Sequence, residues 1–281
     1  MTDLIPAPST SRFIEANGIK LHYLDYGTAG CRPMVCVHGG AAHAHWFDFV
    51  APGFTPDYHV LAPDLRGHGD SAWADPQTYS FDTHAEDLNA FLEKLDLKDV
   101  VLIGHSMGGM ISLVYAAAHP GRVGRLIIVD STMLMPMDRV TRMREFSARP
   151  ARSHATQDEL VARYRLEPAE SQLAATEVIH RMAMHSGRQD GEGRWQHKAD
   201  RRVYTNFEQV AGVPLWEKIK VPALVIKGEH STRFNPGVLA EIRARAPQVQ
   251  SAEVPASDHH ITLENPRGFV DVVRKFLPPV T

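Results

Sequence analysis

The stretch Val100-Val101-Leu102-Ile103-Gly104-His105-Ser106-Met107-Gly108-Gly109 decides how the rest of the chain is read. Four consecutive apolar residues match a strand buried on both faces of a parallel sheet. The Gly-x-Ser-x-Gly pattern that follows fits a sharp turn from strand to helix with a serine at its apex. In such a turn the backbones two residues before and two after the serine approach closely, which demands residues without side chains. Gly104 and Gly108 meet that demand. With only three fixed positions, the pattern needs support from the rest of the chain.

That support comes from both sides. Upstream, Phe81, Ala85, Leu88, Phe91, Leu92 and Leu95 fall at helical spacing and predict an amphipathic crossover helix over Ser80 to Leu95. Earlier still, Arg12 to Ala16 and Ile19 to Tyr26 flank Asn17-Gly18, the favoured two-residue hairpin turn. Met34 to Val37 is a short strand leading into His38-Gly39-Gly40-Ala41-Ala42, where small residues let backbone N–H groups face a ligand. His59 to Ala62 is another strand, closed by a loop from Pro63 to Ser71 whose charged residues are expected to hold the loop in shape.

Downstream, Met107 to His119 is apolar nearly all round and stops at Pro120, as a helix buried against a sheet does. Arg125 to Val129 is a buried strand with Asp130 at its carboxyl end. Ala223 to Lys227 and Gln250 to Val254 are further strands, and Pro236 to Ala246 and Pro266 to Phe276 are further helices. The alternation predicts an α/β fold, a mostly parallel central sheet flanked by helices, with ligands bound beyond the strands' carboxyl ends.

The segment from Ser131 to Val221 is too long for a simple connection. It is expected to hold an inserted helical cap over residues 133–212, between a first core part at 1–132 and a second at 213–281. Thr156-x-x-Glu159 reads as a capping box, and Ser186 to Asp200 reads as a polar loop. Six of the ten methionines, including Met133 and Met135, lie in this segment and suit either an adaptable pocket wall or packing between cap and core. Arg139, Arg142, Arg144, Arg149 and Arg152 read as a solvated helix face.

Composition narrows the partners. The 281 residues, 43% hydrophobic, suffice for a real core, and a formal net charge of −3 gives no electrostatic pull toward nucleic acid or an anionic membrane. A small-molecule substrate is the expected partner, with no nucleic acid and no membrane; oligomeric state stays open. Cys31 and Cys36, on one extended segment, should lie roughly 17 Å apart, beyond disulfide reach, which suggests a reducing compartment. Met1 to Ser11 carries no apolar leader core, so a cytoplasmic location is expected.

The motifs occur in a telling order: His-Gly-Gly after one strand, Gly-x-Ser-x-Gly after another, then Asp130 and a late histidine. From about Ile19 to Phe276 the chain resembles the α/β-hydrolase fold family, in its cap-bearing esterase/lactonase-like group of serine hydrolases. The resemblance implies Ser106 as nucleophile, needing a base whose pKa lies near neutrality. His259 is preferred to His260 because relatives place the histidine seven residues before the proline that starts the last helix, here Pro266. Gly40 and Met107 would supply the oxyanion-hole N–H groups, and Gly39, His105, Trp46, Met133 and Met135 would contact substrate. The commonest acid position of the family falls on Ser231. A minority carries the acid after the strand that follows the nucleophile helix, so Asp130 is preferred, with Glu229 as the alternative. As sequence neighbour of His259, Asp258 is ill placed to face that ring.

The leading expectation is therefore a cofactor-free serine hydrolase of a small-molecule ester or lactone. Carbon–carbon bond hydrolases and cofactor-independent dioxygenases of the same fold are alternatives, as is a non-catalytic small-ligand receptor. Dehalogenases and epoxide hydrolases of this fold use an aspartate nucleophile, which Ser106 argues against. His43-Ala44-His45-Trp46-Phe47-Asp48 departs from the two-metal pattern His-x-His-x-Asp-His, so no metal is expected.

Overall fold

In the computed structural model, residues 5–167, 173–234 and 236–279 are described. Met1 to Leu4, part of the stretch read for a leader, and residues 168–172 of the expected cap lie outside them. The chain enters through β1 (Thr10–Ala16) and β2 (Ile19–Asp25), an antiparallel pair. Asn17 and Gly18 between them have φ of 48° and 71°, the left-handed pair that a two-residue hairpin turn with the right twist requires. Next come β3 (Arg32–Val37), β4 (Tyr58–Pro63), β5 (Val100–His105) and β6 (Val123–Val129). After β6 stand the short strands β7 (Ser153–His154), β8 (Gly187–Gln189) and β9 (Trp195–His197). The last two are β10 (Ala223–Gly228) and β11 (Val249–Val254). The large sheet runs β1-β2-β4-β3-β5-β6-β10-β11, parallel from β4 onward.

β5 lies in the middle of this sheet and all six of its residues are buried. Alternation splits them: Val101 and Ile103 join the cluster under the C-terminal helix, while Val100 and Leu102 join the one under the first two helices. Each such side chain contributes about 1.5–3 kcal/mol by leaving water, which explains the continuous apolar run. α1 (Phe81–Lys94) is capped by Ser80, whose hydroxyl accepts from Thr83 N–H, and it buries Ala85, Leu88, Phe91 and Leu92 beside α2 (Met107–Ala118).

Between β6 and β10 the chain forms α3 (Met137–Ala148), α4 (Gln157–Arg163), α5 (Thr176–His185) and the short α6 (Gly212–Leu215). The expected cap forms in part: Thr156 accepts from Glu159 N–H, while the Glu159 carboxylate reaches back one residue further, to Ala155 N–H. The polar loop expected at Ser186 to Asp200 is instead a hairpin. β8 and β9 pair antiparallel and β9 also pairs with β7, giving the order β7-β9-β8. Three-residue strands of mixed polarity carry no periodic signal, and Trp195 and Leu160 both come up against Gly187 where a side chain would crowd them. The insert is tied to the core by Arg181 on Asp48 at 2.6 Å, by stacked His45 and His185 rings 3.5 Å apart, and by Tyr79 donating to Asp200. α7 (Pro236–Arg245), α8 (Ile261–Glu264) and α9 (Pro266–Phe276) complete the core, with Phe269 and Val273 fully buried. Among the described residues, no helix is long and apolar enough to cross a membrane.

The Pro63 to Ser71 loop earns its shape from one buried carboxylate. Asp64 accepts from Ala44 N–H at 2.6 Å and Asp70 N–H at 2.8 Å, and His22 Nδ1 lies 2.7 Å from its Oδ2. Burial raises its pKa, but the His22 hydrogen bond and the nearby His38 and His22 rings outweigh that and hold it well below the usual carboxylate range. A depressed pKa means the stabilisation is complete above the unfolded value, about 4, and fades as pH falls toward the folded one. Asn at this position would turn an amide donor toward backbone donors. Asp64→Asn is expected to lower stability by about 3 kcal/mol in urea denaturation at neutral pH, and by much less in acid; a change below about 0.5 kcal/mol would remove Asp64 from this role.

Candidate active site

Ser106 stands between β5 and α2 with φ 53° and ψ −116°, a conformation that costs a non-glycine residue about 1–3 kcal/mol. Its neighbours hold it there. Ser106 N–H donates to Val129 O at 2.9 Å, and Ser106 O accepts from Ser131 Oγ at 2.7 Å and from Gly109 N–H at 3.0 Å. A side chain at Gly104 would collide with Gly108 O, and one at Gly108 with the carbonyls of Val37 and His38. The glycines thus let β5, the end of β3 and the start of α2 cross at backbone contact.

The loop after β11 carries His259 back to this edge. His259 Nε2 lies 3.1 Å from Ser106 Oγ, and Nδ1 lies 2.7 Å from Asp130 Oδ2. An acceptor on Nδ1 assigns its proton there and leaves Nε2 free to accept from the serine hydroxyl. Asp130 follows β6 at φ 44°, and its Oδ2 also accepts from Ser231 Oγ at 2.6 Å. His105 Nε2 donates to His259 O at 2.8 Å and supports the loop from below. Glu229 turns elsewhere, accepting from Ala256 N–H at 2.8 Å. His260 is buried against Trp46 and His105.

Burial, with a contribution from Arg139, pushes the His259 pKa down to about 3. Burial also raises Asp130 to about 6, against the opposing effects of the Ser231 hydrogen bond and His105. At neutral pH the imidazole is therefore neutral and the carboxylate charged. That is the state in which the ring can take a proton from Ser106 and the resulting cation has a partner.

Over residues 32–266 the sequence matches the family model described as alpha/beta hydrolase fold. The chain belongs to the alpha/beta hydrolase fold family. It is 28% identical over 278 residues to the esterase Rv0045c of Mycobacterium tuberculosis, covering 97% of this chain and 90% of that protein. Among solved structures, E-2-(acetamidomethylene)succinate hydrolase superposes with a TM-score of 0.82 at 19% identity, covering 96% of this chain and 99% of the other. The enol-lactonase of Burkholderia xenovorans gives 0.73 at 21% identity, covering 94% and 99%. At those identities the two structures share the fold alone.

Within this alpha/beta hydrolase the remaining expected site residues divide. Gly40, Ser106 and Met107 are partly open to solvent, and Met107 opens α2, so its N–H has no carbonyl one turn back. Gly39 is buried against Ser106 and His105. Trp46, His105 and Met133, expected to contact substrate, are all buried. Trp46 packs edge-on against His43, and His105 lies under the His259 loop. Met133 meets Trp216 and Gly212 in the packing between insert and core, and Met135 packs partly against the same cluster. Such choices follow from tertiary packing, which methionine content alone does not encode. The arginines also divide. Arg142 pairs with Asp138 in the exposed manner expected, and Arg144 donates to Phe207 O, whereas the charge of Arg139 reaches His259 and Tyr204.

Two donor groups of the described residues could face a cation: His45 with Asp48 and His185, and His22 with Asp64 and Asp70. In both, the central carboxylate is already engaged, Asp48 by Arg181 and Tyr26, Asp64 by two backbone N–H groups. A cation on Asp48 would also face the Arg181 guanidinium. Sequence reading missed Ser231 as a donor, treating it as a vacancy, and missed Tyr204, which no motif marks.

The two shifts predict the acid limb of activity. A proton relay through Ser106, His259 and Asp130 would need a neutral ring and a charged carboxylate, so the acid limb of kcat/KM for a nitrophenyl ester should follow protonation of Asp130, near pH 6. An acid limb above about pH 7 would contradict this electrostatic account.

Proposed function

We propose that this alpha/beta hydrolase cleaves a small-molecule ester or lactone through an acyl-enzyme on Ser106, without a cofactor. One observation carries the reading: Ser106 Oγ, the two nitrogens of His259 and Asp130 Oδ2 form an unbroken chain with steps of 3.1 and 2.7 Å. His259 Nε2 takes the hydroxyl proton as Oγ attacks the acyl carbon. Asp130 holds the ring's tautomer and steadies the imidazolium. The N–H groups of Gly40 and Met107 meet the oxygen as it becomes negative, each worth about 3 kcal/mol in comparable sites. His259 then gives its proton to the leaving alkoxide, which departs as an alcohol or, from a lactone, stays tethered in the product. Water enters by the same route in reverse, with His259 again the base, and releases the acid. The 28% likeness to an esterase across nearly the whole chain supports the same class.

The position of Asp130 after β6 keeps a second reading open, because cofactor-independent dioxygenases of this fold share it. A panel of esters, lactones and dienones assayed with and without oxygen separates the two. Hydrolysis independent of oxygen is expected; turnover only with oxygen would overturn the hydrolase reading.

A fluorophosphonate probe is expected to label wild-type protein at Ser106, and Ser106→Ala should abolish both labelling and hydrolysis of a nitrophenyl ester. Asp130→Asn should lower kcat by about 10⁴-fold, while Glu229→Gln stays near wild type. Retained turnover in Asp130→Asn with a collapse in Glu229→Gln would reverse the choice of acid.

A further inference from the structure

Tyr204 ends the single 3-10 turn Arg201–Tyr204, and its side chain reaches across to the floor of the site. A methyl group built on Gly40 would collide with the Tyr204 hydroxyl and would stand 3.7 Å from Met107 Sδ. The phenol therefore occupies the space that any side chain at position 40 would fill, beside the two residues whose N–H groups are assigned to the developing oxyanion.

The ring is well held. It meets Phe207 edge-on at 6.2 Å, and Phe207 in turn meets Phe81 of α1 at 5.6 Å. The turn that carries it is fixed by Asp200, which accepts from Arg202 N–H and Val203 N–H, donates its own N–H to Gly67 O, and receives the Tyr79 hydroxyl. The core loop after β4 thus sets where Tyr204 stands. Its hydroxyl, by contrast, is unused. Among the described residues no hydrogen bond reaches it, whereas the Tyr26 and Tyr79 hydroxyls both find carboxylates. Tyr204 is only partly buried, and a phenol donor without a protein partner beside an oxyanion site is available to a substrate oxygen.

We propose that Tyr204 donates a third hydrogen bond to the substrate's acyl oxygen as Ser106 attacks it. The proposal rests on Ser106 being the nucleophile. Burial raises the phenol to about 12, against the charge of Arg139, so the group keeps its proton and acts as a donor throughout the working range. The insert then contributes directly to the bond-breaking step. An acyl oxygen that gains negative charge is the ligand chemistry the site takes, as in a carboxylic ester or lactone.

The test compares wild type, Tyr204→Phe, Gly40→Ala and the double variant on p-nitrophenyl butyrate, with Ser106→Ala alongside. Tyr204→Phe should keep the wild-type melting temperature, since its hydroxyl has no protein partner to lose. It should lower kcat about a hundredfold with little change in KM, and weaken a trifluoromethyl ketone inhibitor by a similar factor. Gly40→Ala, which displaces the hydroxyl, should cost much less on top of Tyr204→Phe than it does alone. Turnover of Tyr204→Phe within twofold of wild type, while Ser106→Ala is inactive, overturns the role of Tyr204 and leaves the nucleophile standing. A rise in KM at unchanged kcat overturns it too. Wild-type turnover in Ser106→Ala overturns both readings together.

Discussion

The sheet edge depends on the backbone of Ser106 being held where a serine does not rest by itself. At φ 53° and ψ −116° the residue stores about 1–3 kcal/mol, and the structure around it leaves no softer alternative. β5 is buried on both faces, α2 starts at once, and Gly104 and Gly108 bring three backbones together where one extra carbon would force them apart. Val129 O and Ser131 Oγ close the turn from the next strand. The apolar run and the glycines are thus one device, in which buried aliphatic surface offsets the strain that lifts the hydroxyl toward His259.

Asp130 shows how the same edge admits more than one arrangement. β6 and β10 are neighbouring parallel strands, with Val129 opposite Ile226, so residues just past either end can face the same imidazole nitrogen. Here the carboxylate comes from β6, and Ser231, at the position past β10 that more often carries the acid, donates to its Oδ2. Burial alone would drive Asp130 toward its neutral form; the Ser231 hydroxyl opposes that. A position that reads as empty in sequence turns out to hold the second hydrogen bond of the proposed acid.

The parts legible in the sequence are those where local pattern and tertiary role coincide. The buried strands announce themselves as apolar runs, Asn17-Gly18 supplies the two positive φ angles its turn needs, and Thr156 with Glu159 starts a helix. The proximity of Ser106, Asp130 and His259 was readable because each follows a strand at one edge of a parallel sheet. The insert was less readable. β8 and β9 are too short to show a period, Met133 and Trp46 could equally face a ligand or a core, and Tyr204 sits in a stretch with no motif. Those outcomes depend on which surfaces meet after folding, and a one-dimensional pattern holds no record of that.

The attachments of the insert carry a consequence for time as well as space. Arg181 and His185 grip the turn after β3 through Asp48 and His45, while Asp200 and Lys198 grip the loop after β4 through Tyr79 and Asp70. Those two loops also carry Gly40 and Asp64. Insert and core are thereby tied to one frame by three polar contacts and a ring stack. A swing of the insert as a hinged body, a motion of microseconds to milliseconds, would have to release all of these attachments together.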